Sequence, residues 1–269
     1  MTHLDFKSAF LQGDLDVPLF MEQPEGLEEL MASKGESIGR DCVLRLKKGI
    51  YGLKQAGRIW YSSMSKGLME LGFQRSPSDT CLFTMIDEEN NDAIVITTWV
   101  DDCIVSYNNE KTWKRMLEKI CDKFTLGAGV DFEWCLGMAV HRNPDSGDIC
   151  LHQSLYVQNL LKRFNMEDAF TVRTPADSQV VLSKEMSPKT AAERARVSKL
   201  PYRELLGAVH HLANFTRPDI SLAVNICSRY ANDWGLPHWK ALKRILRYLK
   251  GTIDPHTNHS PGLMFRKKA

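Results

Sequence analysis

Three acidic residues are the strongest candidates for chemistry in this 269-residue chain. Asp101 and Asp102 are adjacent and lie between two apolar stretches, and Asp5 follows the apolar Leu4. Two neighbouring carboxylates repel each other, and the repulsion raises their pKa unless a cation neutralises them. Proteins normally hold Mg²⁺ with a few carboxylates, completed by water and substrate phosphate oxygens. The pattern is compatible with a Mg²⁺ site, but an Asp pair alone is weak evidence for one, because hairpin turns favour Asp in any case.

The strands that would position these residues are indicated by apolar and β-branched sequence. Four are predicted, at 42–46, 80–86, 93–100 and 103–107. The last two meet at Asp101 and Asp102, so the acidic pair should cap a hairpin. Asp5 should end a short strand that enters a helical turn.

Helices are predicted where apolar residues recur at helical spacing. They are 60–71 (closed by Gly72), 113–124, a helix capped by Ser154, 202–215, 220–230 and 239–250. The polar segment 174–199, which contains Pro175 and Pro188, is predicted to be a linker or an excursion loop. Strands and helices that do not alternate one for one indicate an α+β fold.

Composition excludes disordered, collagen-like and disulfide-rich classes, because 43% of the residues are hydrophobic and 25% are charged. No apolar run approaches the ~20 residues of a membrane helix, and the N-terminal residues form no apolar signal core. We therefore expect an intracellular protein, cytoplasmic by default, with no membrane partner. The seven cysteines include no C-x-x-C pair and are expected to be reduced, mostly buried thiols.

Charge is distributed unequally. Residues 1–150 carry 16 basic and 24 acidic side chains, whereas residues 151–269 carry 19 basic and 9 acidic ones. Within the acidic half, residues 42–69 contain no carboxylate but six cations: Arg45, Lys47, Lys48, Lys54, Arg58 and Lys66. This island suits phosphate groups, but by itself the charge pattern favours a solvated loop and helix face.

Several sequence blocks resemble, in the same order, the reverse transcriptases of copia-type retrotransposons. They are 5–13 (DFKSAFLQG), 20–26 (FMEQPEG), 46–61 (LKKGIYGLKQAGRIWY), 99–102 (WVDD), 135–137 (CLG), 216–220 (TRPDI) and 246–251 (LRYLKG). The resemblance covers nearly the whole chain. It implies a polymerase right hand, in which a palm with an antiparallel sheet and flanking helices is followed by a mainly helical thumb.

The same resemblance implies three divisions of the chain. Residues 1–140 would be the palm with part of the fingers, and residues 141–199 the exit from the primer grip, a helix and a linker. Residues 200–269 would be a helical thumb or connection that ends before an RNase H domain.

By this resemblance, Asp5, Asp101 and Asp102 are the catalytic carboxylates and bind Mg²⁺ or Mn²⁺. In phosphoryl transfer, two metal ions about 3.5–4 Å apart stabilise the attacking and leaving oxygens, so the implied reaction is nucleotidyl transfer to a primer 3′-hydroxyl. Because successive strand residues point to opposite faces, we expect Asp5 and Asp101 to bridge the ions and Asp102 to be a weaker ligand.

The resemblance also implies binding residues. Phe10 would stack under the sugar of the incoming nucleotide and exclude a 2′-hydroxyl, although a core phenylalanine fits the sequence equally well. Gln55 would lie near the base and sugar, and Lys54 and Arg58 near phosphate or template oxygens. The implied primer grip is Leu136, Gly137 and Met138. The basic helix face that could follow a nucleic-acid backbone is Lys240, Lys243, Arg244 and Arg247.

The primary hypothesis is an RNA-directed DNA polymerase domain. Its partners would be an RNA or DNA template-primer duplex, dNTPs and the remaining polyprotein domains, namely fingers, RNase H and integrase. Because four residues precede Asp5 and the chain stops where relatives continue, we expect a polyprotein fragment whose activity depends on fingers supplied elsewhere. The alternatives are a catalytically inactive remnant that binds nucleic acid and a metal-dependent phosphohydrolase, which would leave Phe10 and Gln55 unexplained.

Overall fold

The computed structural model describes residues 1–39, 41–127, 132–254 and 259–266. Contacts divide the chain into two compact units, Met1–Phe132 and Glu133–Ala269. Each unit contains its own hydrophobic core, one drawn from residues 4–124 and the other from residues 157–249. The functional divisions expected at 140 and 199 stay predictions.

The described residues of the first unit form seven strands. They are β1 (Thr2–Asp5), β2 (Asp14–Met21), β3 (Leu44–Lys48), β4 (Gln74–Arg75), β5 (Leu82–Asp87), β6 (Asp92–Trp99) and β7 (Asp102–Tyr107). Five of them form an antiparallel sheet in the order β1-β7-β6-β5-β4, and β2 pairs with β3 as a separate antiparallel ribbon. The order places β1 at one edge of the sheet, next to the hairpin that carries Asp101 and Asp102.

The helices of the first unit are α1 (Leu27–Ser33), α2 (Ala56–Glu70) and α3 (Glu110–Lys123), and a 3-10 turn covers Ala9–Gln12. The apolar sides of α2 and α3 share one core with the sheet. Burial alternates along β6, where Ile94 and Ile96 are buried and the intervening Val95 is less so. Burying one such isoleucine contributes about 1.5–3 kcal/mol, so the alternation determines which sheet face lies against the helices.

The second unit combines a small sheet with helices. Its strands, β8 (Trp134–Cys135), β9 (Met138–Arg142), β10 (Ile149–His152) and β11 (Leu263–Phe265), form an antiparallel sheet in the order β11-β10-β9-β8. Its helices are α4 (Ser154–Arg163), α5 (Ala191–Val197), α6 (Tyr202–Phe215), α7 (Ser221–Ser228) and α8 (Leu236–Gly251). On α8, the buried residues Leu242, Ile245, Leu246 and Leu249 recur at helical spacing and form part of the second core.

These elements confirm a mixed α and β fold with antiparallel sheets. The predicted helix 202–215 matches α6, and the four predicted strands correspond to β3, β5, β6 and β7. None of the helices in the described ranges has the length and apolar character to cross a membrane.

Three expectations are wrong in detail. The segment 174–199 contains α5, which begins with a capping box in which Thr190 and Glu193 bond each other's backbone N–H. Ser154 is the first residue of α4 and not its N-cap, which is Gln153. The Ser154 Oγ accepts a hydrogen bond from the Ser260 amide (2.6 Å). The cysteines are not mostly buried, since Cys103 and Cys227 are buried while Cys42 and Cys121 are exposed.

Candidate functional site

The register of β1 on β7 brings Asp5 and Asp102 together. They are directly opposite partners in the antiparallel pairing, and Leu4 is opposite Cys103 at the neighbouring position. Residues directly opposite in such a pair share a sheet face, with Cβ atoms about 4.5–5.5 Å apart. Leu4 and Cys103 are buried in the core. Asp5 and Asp102 therefore lie on the other face of the sheet, where both are half-buried.

Asp101 lies at the tip of the hairpin between β6 and β7, as predicted. β6 ends at residue 99 and β7 begins at Asp102, which leaves Val100 and Asp101 as a two-residue turn. The φ of Val100 is +59°, a conformation that costs a β-branched residue roughly 1–3 kcal/mol. Nε1 of the buried Trp60 donates to the Val100 carbonyl (2.6 Å), and the Phe6 amide donates to the Asp101 carbonyl (3.2 Å). These two bonds hold both turn residues in place.

The three carboxylates differ in their partners. Oδ1 of Asp102 lies 3.0 Å from Nε2 of His3, which is on the same sheet face. In the described part of the chain, the side chains of Asp5 and Asp101 have no hydrogen-bond or salt-bridge partner. Two of the three acids are thus left with oxygens for an external ligand, and Asp102 is partly occupied.

The pKa of the Cys103 thiol is affected by burial and by the nearby acids. Burial raises its pKa well above the ordinary value, and the negative charges of Asp102, Asp101 and Asp5 raise it further.

The donor set is made of oxygen atoms and suits a hard divalent cation. In the described ranges, no three His, Cys, Asp or Glu side chains are already arranged to hold a metal ion. Mg²⁺ does not require such a cage, because it usually binds one or two carboxylates and takes its other ligands from water and substrate phosphates. Asp5 and Asp101 could supply these one or two carboxylate ligands.

Phe10 lies in the 3-10 turn that follows β1. Its ring is half-buried, packs against the edge of the first core and makes an edge-to-face contact with Tyr51, with centroids 4.6 Å apart. An ideal Cβ at Gly49 would lie 2.8 Å from the Phe10 carbonyl oxygen, so the backbone of the 42–69 segment approaches this turn closely. These contacts give Phe10 a packing role, and its contact with a nucleotide sugar stays a prediction.

The other predicted nucleotide-binding residues lie at the start of α2. Gln55 is the N-cap residue, but its side chain forms no capping bond, and Lys54 is exposed. Arg58 forms an ion pair with Asp16 of β2, and its hydrogen bond lowers the pKa of that carboxyl group. A helix N-terminus with a nearby Lys is a favourable place for phosphate oxygens, whereas Arg58 already has a partner within the chain.

Leu136 and Gly137 form the two-residue turn of the β8–β9 hairpin, and Met138 begins β9 opposite Cys135. Both turn residues have positive φ, +48° and +78°, as a type I′ hairpin requires. No described atom lies within 4 Å of an ideal Cβ at Gly137. The glycine therefore serves the turn conformation within the chain.

Two cations of the basic face on α8 bind the loop 170–177, which follows α4. Arg244 donates to the carbonyl and hydroxyl of Thr174 and to Asp177 (3.1 Å), while Arg247 donates to the Phe170 carbonyl (2.6 Å). Lys243 lies over the Trp239 ring at 5.8 Å, and Lys240 is exposed. The face predicted to follow a nucleic-acid backbone thus also fastens residues 170–177 to the helix.

Sequence reasoning missed three residues next to the site. His3 could have been found, because it precedes Asp5 by two positions on a strand and so shares its face. Tyr51, which contacts Phe10, lies in one of the recognised blocks but carried no distinguishing signal. Gly127, whose amide donates to the Asp5 carbonyl (2.8 Å), had no sequence signal, because the pairing depends on the tertiary structure.

A family model described as reverse transcriptase (RNA-dependent DNA polymerase) matches residues 1–178. The chain is 36% identical over 249 residues to the retrovirus-related Pol polyprotein from transposon TNT 1-94 of Nicotiana tabacum, which covers 93% of this chain and 18% of that protein. It is 38% identical over 255 residues to the Pol polyprotein from transposon RE2 of Arabidopsis thaliana, covering 93% of this chain and 16% of that one.

A putative transposon Ty5-1 protein of Saccharomyces cerevisiae is 26% identical over 249 residues, covering 93% of this chain and 76% of that protein. The chain spans less than a fifth of the length of the TNT 1-94 and RE2 Pol polyproteins. No solved structure matches the chain.

Proposed function

Because this chain belongs to the reverse transcriptase (RNA-dependent DNA polymerase) family, in its copia-type transposon branch, we propose that it catalyses RNA-directed DNA synthesis. The reaction is transfer of a nucleotidyl group from a dNTP to the 3′-hydroxyl of a primer paired with an RNA or DNA template. The observation that carries the proposal is the register of β1 on β7, in which Asp5 lies opposite Asp102 beside the Asp101 turn.

In this proposal, Asp5 and Asp101 hold the divalent metal ions, Mg²⁺ or Mn²⁺, and Asp102 is a weaker ligand. The fit is supported by an all-oxygen donor set, by half-buried carboxylates on a shared part of the sheet, and by the absence of described partners for Asp5 and Asp101. Asp102 already has Oδ1 beside His3. When bound, the ions would neutralise charge on the attacking and leaving oxygens.

The remaining residues of the first unit would bind the nucleotide. Phe10, supported by Tyr51, would place a ring against the sugar and select deoxynucleotides by excluding the 2′-hydroxyl. Gln55 would contact the base or sugar, and Lys54 at the start of α2 would attract phosphate oxygens. Arg58 would join them only by giving up or sharing its ion pair with Asp16.

We assign the five-stranded sheet to the palm and the later helices to the thumb. The β8–β9 turn at Leu136 and Gly137, with Met138, would be the primer grip. Lys240 and Lys243 are the members of the basic face best placed for duplex phosphates, because Arg244 and Arg247 bind the 170–177 loop. Fingers, RNase H and integrase regions of a Pol polyprotein would be the partners.

The proposed reaction is tested by primer extension with the purified chain, a primed RNA template, dNTPs and Mg²⁺. We expect Asp5→Asn and Asp101→Asn to reduce incorporation by about 10³-fold or more, since loss of a metal ligand removes several kcal/mol of charge stabilisation. Asp168→Asn, at an exposed position of the second unit, is the matched control and should retain full incorporation. Equal incorporation by wild type and Asp101→Asn would refute the proposal.

A second candidate is a catalytically inactive domain that binds nucleic acid. It is favoured by the charge of residues 151–269, which carry 19 basic and 9 acidic side chains. Such binding would come from phosphate contacts and weaken by orders of magnitude between about 50 and 200 mM salt. Fluorescence anisotropy with a labelled RNA–DNA hybrid would detect it. Salt-sensitive binding that survives Asp5→Asn, together with no incorporation by the wild type, would favour this candidate over the polymerase.

A further inference from the structure

The outer edge of β1 is paired with a short segment that follows α3. The Lys7 amide donates to the Thr125 carbonyl (3.1 Å), and the Gly127 amide donates to the Asp5 carbonyl (2.8 Å). Phe6 and Leu126 form an antiparallel bridge between these two bonds. Asp5 is thus flanked by backbone on both sides, with β7 on one edge and Gly127 on the other.

Gln12 fastens this segment. Its side-chain amide donates to the carbonyls of Lys7 (2.8 Å) and Thr125 (2.9 Å), and its Oε1 accepts from the Thr125 amide (3.0 Å). One side chain therefore bonds both members of the pairing. The segment cannot move away from β1 without breaking these bonds in addition to the two backbone bonds, so its distance from Asp5 is well determined.

The space beside the Asp5 carboxylate depends on the absence of a side chain at Gly127. An ideal Cβ there would lie less than 3.0 Å from Oδ2 of Asp5, 3.3 Å from its Cγ and 3.4 Å from its Cβ. Gly127 does not have the positive φ seen at Gly72 and Gly137. A side chain at position 127 would therefore conflict with the carboxylate of Asp5 and not with the backbone conformation.

We propose that Gly127 is a positioning residue that sets the orientation of the Asp5 carboxylate for divalent metal binding. This inference rests on the proposed function, in which Asp5 is a metal ligand. A methyl group at position 127 would push the carboxylate away from its present orientation, because the backbone pairing and Gln12 prevent the segment from retreating. A group that acts on the geometry of a metal ligand typically changes metal affinity roughly 10–100-fold when it is altered.

The first test measures binding of Mn²⁺ alone, by the electron paramagnetic resonance signal of the free ion. We expect Gly127→Ala to raise the apparent dissociation constant roughly 10–100-fold. Gly207→Ala is the matched control, because Gly207 is exposed on α6 and an ideal Cβ there meets no described atom within 4 Å. Asp5→Asn is the reference for loss of the ligand. Wild-type affinity in Gly127→Ala, with weakened binding in Asp5→Asn, would overturn the inference.

A second measurement does not depend on metal. Gly127→Ala should lower the thermal unfolding midpoint in the wild-type background, because the methyl group and the Asp5 carboxylate compete for one space. In an Asp5→Ala background the carboxylate is absent, so the same substitution should cost nothing. An equal loss in both backgrounds would show that Gly127 acts elsewhere and overturn the inference.

The two measurements separate this inference from the proposed function. If wild type and Asp5→Asn bind Mn²⁺ equally, the proposed metal role of Asp5 fails. The pair of unfolding midpoints then still decides whether Gly127 orients the Asp5 side chain.

Discussion

Val100 has a backbone conformation that is unfavourable for its side chain. Its positive φ is unusual for a β-branched side chain, and it stands next to Asp101 at the turn between β6 and β7. The bond from Trp60 to its carbonyl holds this conformation against the core. The strained conformation of Val100 is therefore maintained by the surrounding structure.

The register also refines the expected roles of the three acids. Strand alternation predicts that the side chains of Asp101 and Asp102 point to opposite faces of the sheet. The structure places Asp102 directly opposite Asp5, while Asp101 lies in the turn. His3 occupies one oxygen of Asp102. The contact with His3 supports the proposal that Asp102 is the weaker metal ligand. This reason differs from the strand alternation on which the expectation was based.

At the residue scale, Phe10 leads to a prediction about sugar selection. Phe10→Ala should reduce the preference for dNTPs over rNTPs by about 10- to 100-fold, because an apolar contact rejects an added hydroxyl only to that extent. The measurement is the ratio of single-nucleotide incorporation efficiencies for a dNTP and the matching rNTP.

The control for this prediction is Phe170→Ala, since Phe170 is 86% exposed in the second unit. It should leave the ratio unchanged. If Phe10→Ala lowered incorporation of both nucleotides equally, Phe10 would be a packing residue and not a selectivity residue.

At the element scale, the junction between α6 and α7 depends on a buried ion pair within the block TRPDI. Arg217 is 1% exposed and donates to both carboxylate oxygens of Asp219 (2.9 and 2.7 Å) and to Thr252 (3.0 Å). Tyr248 of α8 donates to the same carboxylate (2.8 Å). Arg217 and Asp219 thus connect the junction of α6 and α7 to α8, which gives both residues a structural role.

Asp219→Ala should destabilise the chain by about 3 kcal/mol, because it leaves the guanidinium of Arg217 buried without its counter-charge. This value is at the low end for broken buried pairs, since the Asp219 side chain is 38% exposed. Urea unfolding measures the change. Asp168→Ala, at an exposed site, should stay within about 0.5 kcal/mol of wild type, and a similarly small effect of Asp219→Ala would contradict the account.

At the scale of the whole molecule, the two units differ in their buried histidines. His238 and His152 both belong to the second unit and are buried. Burial lowers the pKa of both, and the neighbouring His259 and His141 lower that of His152 further. In His238, Nδ1 accepts from the Gly235 amide (2.9 Å), so protonation of this atom would remove an acceptor from the start of α8.

Acid should therefore destabilise the second unit. Well above pH 6.5, the ordinary pKa of histidine, these histidines are neutral in both the folded and the unfolded chain, and their contribution to stability is fully present. As the pH falls below 6.5, the unfolded chain binds protons first, so the free energy of unfolding decreases until the lower folded pKa is reached. We expect hydrogen exchange of peptides from residues 133–254 to increase between pH 7.5 and 5.5, after correction for intrinsic rates.

The variant that tests this prediction is His238→Asn, which keeps an acceptor but does not titrate. It should show a smaller pH dependence than wild type, with the remainder due to His152. His210→Asn, at an exposed position of α6, should keep the full dependence. Unchanged pH dependence in His238→Asn would show that this histidine does not couple folding to protonation.

Local pattern in the sequence determined most elements and the identities of the three acids. The spacing of apolar residues along α2, α3 and α6 and the apolar, β-branched run of β6 are short-range properties, because they follow from the geometry of one helix or strand. The prediction of a linker or loop at 174–199 is wrong for a related reason. It was based on the prolines and serines of the segment and did not include the capping box of α5.

The tertiary structure alone decided what surrounds the candidate site. Gln12 and Thr125 are 113 positions apart, so no local pattern could indicate their contact. The same holds for the position of Gly127 against Asp5 and for the bonds from Arg244 and Arg247 to the 170–177 loop. Such contacts depend on strand register and on helix packing, which are determined by burial of a whole core and not by the residues that meet.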